Sequence, residues 1–352
     1  MKSVFIDKVA SVAQHSELGN EVRLSTDIPC EEGVLLAVKV LNNKKRYNQL
    51  ELTSGRMATV NQGDFVVGAL GHRKALLGYS GFLPSDLQVG STVQILNIGG
   101  VLGICDSVNP EVGEPFDCEV LGCVLHFPYI GERIGVPARA GLRPLADNPG
   151  LDTLGVPVVA LAGTCMDSGK TAAACAIISR LRHLGFSVAA GKATGVSLRR
   201  DILAMEDAGA GQTMIFSDFG IVTTTAENGP PLTRSLLTSL AEKRPDVIVL
   251  ELGDGLLGAY GVDAILSDAK ILNAFTMVIL CANDPVAAWG GTQLMLQQYD
   301  IEPSVVTGPA TDNAVGINQI VARLSLPAIN ALTDGVTLGD FVADSLAADK
   351  KP

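Results

Sequence analysis

The segment that most constrains the fold runs from Val158 to Thr171 and has the sequence VVALAGTCMDSGKT. Its apolar first half is typical of a buried strand, and the Ala- and Ile-rich stretch that follows it is typical of a helix. Between them lies a loop that ends in Gly169, Lys170 and Thr171. The amides of such a loop and the start of the next helix bind phosphate, the lysine reaches the outer phosphates, and the threonine binds Mg²⁺. Five residues separate Gly163 from Gly169, one more than in the usual motif.

The two halves of the chain follow different patterns. Short apolar runs and glycine turns in residues 1–136 predict a smaller β-rich domain, either a barrel or a sandwich. Residues 137–153 hold three prolines and two glycines, which predicts a linker. In residues 154–345, strand-like and helix-like segments alternate. This alternation predicts an α/β domain with a mostly parallel sheet, with ligand sites at the carboxyl ends of its strands.

Composition narrows the class of protein. The chain has 352 residues, of which 47% are hydrophobic and 18% charged, so it can bury large cores. Its net charge of −11, without a dense basic run, argues against a nucleic-acid partner. No apolar run approaches the ~18–20 residues of a membrane helix, and the N-terminus lacks a signal-peptide core. We expect a cytoplasmic protein without a membrane partner.

One basic loop in the front half leaves two interpretations open. The sequence Gly71-His72-Arg73-Lys74 places three basic side chains beside a glycine. It fits an anion-binding loop, because glycine lets the backbone approach a ligand closely. It fits a basic hairpin loop on an acidic protein equally well.

The residue types around the loop predict a nucleotide site with magnesium. We expect the nucleotide to contact the loop and Asn283, which follows a later strand; the loop residues are Gly163, Thr164, Asp167, Ser168, Gly169, Lys170 and Thr171. Glu251 ends an apolar run and should lie at the tip of a neighbouring strand, where a Mg²⁺ ligand is needed. The predicted metal ligands are Thr171, Glu251 and Asp201. The predicted catalytic residues are Lys170, Lys192 and Asp218, with Lys192 closing the second strand.

The motifs resemble those of one known enzyme family. Gly163–Thr171 is similar to the G-T-D-x-x-x-G-K-T loop of dethiobiotin synthetase, including the five-residue spacing. Lys192 stands where that family has its substrate-binding lysine, and the segment from Glu251 resembles its E-G-A-G-G-L motif. The resemblance spans residues 156–335 and implies a P-loop NTPase of the dethiobiotin synthetase-like group, with ATP, Mg²⁺ and a homodimer. Cys165 replaces the family's loop aspartate.

A second resemblance involves the P-loop domain of the family that includes D-glutamate N-acetyltransferases. Residues 193–196, 217–219 and 251–260 are similar to its A-T-G-Q, S-D-F and E-G-Q-G-S-L segments. This resemblance implies acetyl-CoA as an alternative ligand of the loop.

Three functions follow from these motifs. The main prediction is a Mg-ATP-dependent ligase that activates a carboxylate or carbamate by phosphoryl transfer, for amide or ring formation, with a small-molecule carboxylate or amine as its substrate. The N-K-x-D signature of regulatory GTPases is absent, and the resemblance favours ATP over GTP. One alternative is an acyl-CoA-dependent N-acyltransferase. The other is a nucleotide-switched assembly ATPase, although the second signature lysine of those proteins is missing before Lys170.

Overall fold

The computed structural model describes residues 2–129, 131–142, 144–146 and 149–348. Its contacts divide the chain into two compact units. The N-terminal unit comprises residues 1–145, 196–200 and 216–223, and the C-terminal unit comprises residues 146–195, 201–215 and 224–352. The domain boundaries expected at 136 and 154 stay a prediction. Within the predicted linker, residues 143, 147 and 148 lie outside the described part of the chain.

The described part of the N-terminal unit is built mainly from short strands. They are β1 (Lys2–Phe5), β2 (Lys8–Val9), β3 (Glu21–Ser25), β4 (Leu35–Val40), β5 (Gln49–Glu51), β6 (Met57–Thr59), β7 (Phe65–Leu70), β8 (Arg73–Lys74), β9 (Tyr79–Phe82), β10 (Thr92–Ile95), β11 (Val101–Val108), β12 (Phe116–His126) and β13 (Val136–Pro137). The apolar runs expected at 34–41, 65–70, 93–98 and 118–125 coincide with β4, β7, β10 and β12.

Pairing in the N-terminal unit joins eleven strands into one sheet, while β5 and β6 form a separate pair. Strand β12 pairs with β4, β4 with β7, β7 with β11, β11 with β10, and β10 again with β12. These pairings form a closed cycle, which is what a small barrel requires. The hydrophobic core of this unit includes the fully buried Leu35, Leu36 and Val67.

Two later segments of the chain complete the N-terminal unit. Val222 is fully buried in the same core cluster. Glu32 accepts hydrogen bonds from the amides of Val222 at 3.1 Å and Thr223 at 2.8 Å. Asn97 donates to the carbonyl of Ser197 at 2.8 Å. The first unit therefore depends on residues far along the chain.

The C-terminal unit carries the second sheet, with strands β14 (Val158–Gly163), β15 (Val188–Lys192), β16 (Gln212–Ile215), β17 (Val247–Glu251), β18 (Phe275–Cys281) and β19 (Val305–Thr307). The remaining α-helices are α1 (Lys170–His183), α2 (Arg200–Asp207), α3 (Gly229–Ala241), α4 (Val262–Leu266), α5 (Ala269–Leu272), α6 (Pro285–Tyr299), α7 (Ala314–Leu324) and α8 (Gly335–Ala348). The alternation expected from the sequence is confirmed; α2 and α8 were not expected.

All neighbours in the second sheet are parallel, in the order β16-β15-β17-β14-β18-β19. Strands β14, β15 and β17 are buried along their whole length. Such strands are continuous apolar runs because helices cover both faces of a parallel sheet. The central position of β14 brings the loop that follows it to the carboxyl edge, beside the ends of β17 and β18. This architecture is a mixed α/β fold with a parallel sheet, as the sequence predicts.

No helix in the described residues is long and apolar enough to cross a membrane.

Candidate phosphate-binding site

The loop between β14 and α1 has the geometry that the motif predicts. Strand β14 ends at Gly163, and α1 begins at Lys170, immediately after Gly169. Gly169 has a φ of +87°, a conformation that side chains with a Cβ adopt only with strain. The turn at Gly169 therefore explains why glycine precedes the lysine. The start of α1 offers its free backbone N–H groups at this edge of the sheet.

Lys170 points back into the loop. Its Nζ donates to the Cys165 carbonyl at 2.8 Å and to the Ser168 hydroxyl at 3.2 Å, and the residue is only 6% exposed. The ammonium thus lies where the loop encloses it, held by two neutral oxygens. A phosphate group can replace these oxygens as the partner of the charge, because a charge-assisted contact is stronger than a neutral hydrogen bond.

At two glycines, the absence of a side chain leaves space around the loop that a Cβ would fill. A Cβ on Gly163 would lie 2.6 Å from Lys170 Nζ, and a Cβ on Gly255 would lie 2.7 Å from the Thr164 carbonyl oxygen. Thr164 Oγ1 is buried without a hydrogen-bond partner among the described residues. An unpaired buried hydroxyl is energetically unfavourable, so Thr164 Oγ1 marks a position where a ligand oxygen would supply the missing hydrogen bond. These observations fit a bound phosphate.

Thr171 and Glu251 meet at the tips of α1 and β17. Thr171 Oγ1 donates to Glu251 Oε2 at 2.9 Å, and Glu251 is 2% exposed. A hydroxyl and a carboxylate this close, beside the loop, form the ligand pair that Mg²⁺ takes in P-loop sites. Across the described ranges, no group of three or more His, Cys, Asp and Glu side chains could hold a metal. A metal here would therefore need ligand oxygens from the nucleotide as well.

Lys192 joins two of the predicted acids. Its Nζ lies 3.1 Å from Glu251 Oε1 and donates to Asp201 Oδ2. Burial disfavours the charge of Lys192, but Glu251 and Asp201 outweigh burial and raise its pKa above the ordinary range. Lys192 is therefore a charged bridge between two carboxylates. The carboxylate of Glu251 therefore pairs with both Thr171 and Lys192.

Asp254 is a further acid beside the loop, in the Gly-Asp-Gly turn after β17. It is 8% exposed, and neither carboxylate oxygen has a well-aligned hydrogen-bond donor among the described residues. Burial raises its pKa, while the amides of Gly255 and Ala259 and the charge of Lys170 oppose the rise. The Gly-Asp-Gly pattern was the only sequence signal for this position.

The other predicted residues are placed as follows. Asp167 is exposed in the loop with a φ of +56°, and Ser168 is fully buried. Asn283 is exposed just after β18 and before Asp284, which caps α6 by accepting from two amides. Asp218 belongs to the N-terminal unit, where its carboxylate lies 2.7 Å from His15 Nε2. The roles assigned to all the site residues stay predictions.

Two glycines near the loop were missed by sequence reasoning. A Cβ on Gly291 of α6 would lie 3.0 Å from Thr164 Cγ2, and Gly308, after β19, lies against Gly169. The signal for Gly291 is a Gly-Gly pair inside a helix, where glycine is costly unless close packing requires it. Gly308 has a φ of +90°, so its backbone requires glycine.

Comparison with known proteins finds similar chains among solved structures but no match among family models or curated proteins. The signal recognition particle receptor FtsY from Elizabethkingia anophelis is 16% identical, with a TM-score of 0.39, over 57% of this chain and 68% of that one. A DUF1611 family protein from Anabaena variabilis is 13% identical, with a TM-score of 0.41, over 60% and 63%. Hydrogenase maturation factor HypB from Archaeoglobus fulgidus is 16% identical, with a TM-score of 0.38, over 55% and 91%.

These comparisons correct the main functional prediction. The matched structures include signal recognition particle proteins, one of them in complex with GDP, and a hydrogenase maturation factor. The expectation of a Mg-ATP-dependent ligase that activates a carboxylate or carbamate is therefore wrong. The resemblance to dethiobiotin synthetase holds at the level of the P-loop NTPase fold and not at the level of that group.

Proposed function

We propose that this protein binds a nucleoside triphosphate with Mg²⁺ at the loop 163–171, hydrolyses it, and uses the bound nucleotide as a conformational switch. The observation that carries the proposal is the position of Lys170 and Thr171. The lysine is enclosed by its own loop at 2.8 Å from a carbonyl, and the threonine lies 2.9 Å from Glu251. These contacts support the assignment of Lys170 to the phosphates and of Thr171 to the metal.

Different residues of the site would bind the phosphates and the metal of the nucleotide. Lys170 would neutralise the outer phosphates, and the amides at the start of α1 would donate to them. Thr171 and Glu251 would hold Mg²⁺, which neutralises charge on the phosphates. Catalysis in such sites is mainly alignment and charge stabilisation, which suits a site built around one enclosed lysine.

The shared carboxylate of Glu251 supports the switch. A metal at Glu251 would attract the same oxygens that now pair with Thr171 and Lys192. If Glu251 held a metal, its contact with Lys192 would weaken, and Asp201 would remain as a partner of the lysine. Since charged pairs that are buried depend strongly on their geometry, binding should change the Lys192–Asp201 contact. Small-molecule partners and a homodimer remain predictions.

The test is a titration of the full chain with fluorescent analogues of ATP and GTP, with and without Mg²⁺, followed by measurement of phosphate release. We expect saturable binding that needs Mg²⁺. Lys170→Ala should weaken it by roughly 100-fold, about 2.7 kcal/mol, because the phosphates lose their enclosed cation. Thr171→Val should lower the nucleotide affinity measured with Mg²⁺ more than the nucleotide affinity measured without it.

Lys243→Ala is the matched control, because Lys243 is an exposed lysine of the same unit outside the loop. It should bind like the unaltered protein. The proposal fails if neither nucleotide binds saturably, or if Lys170→Ala binds as well as Lys243→Ala. Binding of acetyl-CoA alone, with no nucleotide binding, would also overturn it and favour the acyl-transfer alternative.

A further inference from the structure

The N-terminal unit contains a cavity that the proposed function does not use. It has a volume of about 430 Å³ and is lined by two segments, residues 42–46 and 110–114. Small-molecule sites have volumes of about 300–1,000 Å³. The first segment contributes Lys44, Lys45 and Arg46 to the lining, and the second contributes Glu111 and Glu114.

Hydrogen bonds hold the two walls in place. Asn42 donates to the Pro115 carbonyl at 3.1 Å and accepts from the Asp117 amide at 2.9 Å. Arg46 donates to the Glu111 carbonyl at 3.3 Å. Tyr79 donates its hydroxyl proton to the Gly113 carbonyl at 3.0 Å. The cavity is therefore formed without a ligand, so a ligand would not need to order its walls.

Lys44 lies where the cavity meets a group of aromatic rings. Its Nζ is 4.9 Å from the centre of the Tyr79 ring, 5.5 Å from that of Phe116 and 5.9 Å from that of Tyr47. It also donates a hydrogen bond to the Tyr79 hydroxyl. All of these partners are neutral, and the described residues give Lys44 no carboxylate as an ion-pair partner.

A second cation lies behind the same rings. Arg73 is 4% exposed, lies 5.6 Å from the Tyr47 ring centre and donates to the Tyr47 hydroxyl at 2.9 Å. Its Nε is buried without an acceptor among the described residues. The basic hairpin is present, because β8 pairs antiparallel with β9, and within it Arg73 is a buried part of the aromatic group. Two cations with neutral partners create a positive potential on an otherwise acidic protein.

We propose that this cavity binds a small organic anion, whose carboxylate or phosphate group pairs with Lys44. Lys45 and Arg46 on the same wall would add to the attraction. The two glutamates opposite are exposed, so water screens their repulsion, whereas the half-buried Lys44 is screened less. An anion would supply the missing charged partner of Lys44 Nζ in addition to its ring contacts.

Proton linkage gives this site a distinctive pH dependence. Burial lowers the pKa of Lys44 to about 8, against the opposing effects of Glu114 and Cys105. Burial also raises the pKa values of Tyr79 and Cys105, so neither gains charge near pH 8. The remaining charged neighbours of Lys44 are Arg73 and Glu114. A bound anion favours charged Lys44, so affinity is full below pH 8 and falls as the pH rises through 8.

The test follows the side-chain signal of Lys44 by NMR in the full chain with ¹³C-labelled lysine, assigned by its loss in Lys44→Gln. The probes are inorganic phosphate and acetate, each compared with sodium chloride at equal ionic strength. We expect a saturable shift of the Lys44 signal, with affinity about tenfold weaker at pH 9 than at pH 7. The Lys44 signal reports on the N-terminal unit, whereas residues 163–171 belong to the C-terminal unit. Phosphate and acetate together show which anionic group the site prefers.

Two variants make the result decisive. Lys44→Arg keeps its charge at pH 9, so its affinity, measured from the Lys45 signal, should stay the same between pH 7 and 9. Lys39→Gln changes a lysine outside the cavity lining and should leave the Lys44 titration unchanged. A Lys44 signal that responds to both anions no more than to sodium chloride would overturn the proposal, as would an equal loss of affinity at pH 9 in Lys44→Arg.

Discussion

At the scale of single residues, the two buried lysines of the candidate site differ in the groups that surround their charge. Lys170 and Lys192 are both buried, but their partners differ: the first has neutral oxygens and the second has two carboxylates. A buried cation with neutral partners is suited to receive an anion, whereas one between two acids is already compensated. The sequence predicted that both lysines would face a ligand. The structure distinguishes them, because only it shows that Asp201 reaches Lys192.

Burial of Asp254 should make the stability of the C-terminal unit depend on pH. Its pKa is raised by burial, so the folded state holds its proton more tightly than the unfolded state does. The resulting penalty is absent below the ordinary aspartate pKa and grows as the pH rises through the raised value. Asp254→Asn removes the charge, and asparagine tolerates the local φ of +73°.

We therefore predict that Asp254→Asn raises the free energy of unfolding by about 1 kcal/mol at pH 7. The gain should shrink as the pH falls toward 4. Urea unfolding of both proteins at several pH values measures this difference. A variant that is less stable at pH 7, or a gain that is independent of pH, would contradict the account of the buried charge.

At the scale of elements, the parallel sheet was predictable because its strands are continuous apolar runs between helical segments. The predicted strand at 246–251 is observed as β17, Val247–Glu251, and the carboxylate at its tip is where the sequence placed it. The N-terminal strands were harder to predict. Several of them, such as β2 and β8, have only two residues and exist because neighbouring strands pair with them. Local sequence carries little signal for strands of this kind.

Helix α3 packs closely on β15 at Gly191. A Cβ on Gly191 would lie 2.6 Å from Leu236 Cδ2 and 3.0 Å from Leu240 Cδ1. Because both leucines are fully buried, neither can move away freely. We predict that Gly191→Ala destabilises the protein by about 1–3 kcal/mol through overpacking.

Gly211→Ala is the control for this prediction, because the nearest atom to its added Cβ would lie 3.9 Å away. Its free energy of unfolding should change by less than about 0.5 kcal/mol. Thermal and urea unfolding of the two variants give the comparison. Equal stability of both would show that α3 has more room than the structure indicates.

At the scale of the whole molecule, the N-terminal unit does not correspond to one continuous stretch of chain. It includes residues 196–200 and 216–223, which contribute the buried Val222 and the hydrogen bonds to Glu32 and Asn97. A division of the sequence by composition alone misses such segments, because each is short and lies within the alternating pattern of the second half.

We predict that a fragment of residues 1–145 is less stable than the same strands in the full chain by about 3 kcal/mol, since it lacks the burial of Val222 and several hydrogen bonds. Hydrogen exchange of the β4 amides in both proteins measures this difference. As a control, Val222→Ala in the full chain should weaken protection in β4 and leave β14 unchanged. Equal protection of β4 in the fragment and the full chain would refute the prediction.

The sequence by itself determined the strand–loop–helix from Val158 onward, the alternating α/β order and the acid at the end of β17, because these depend on local patterns and on glycine positions. Only the tertiary structure decided which charges meet. The pairing of Lys192 with Asp201, the enclosure of Lys170, and the rings around Lys44 all join residues through the packing of separate elements. Spacing along the chain does not specify such contacts, because they depend on which strands become neighbours.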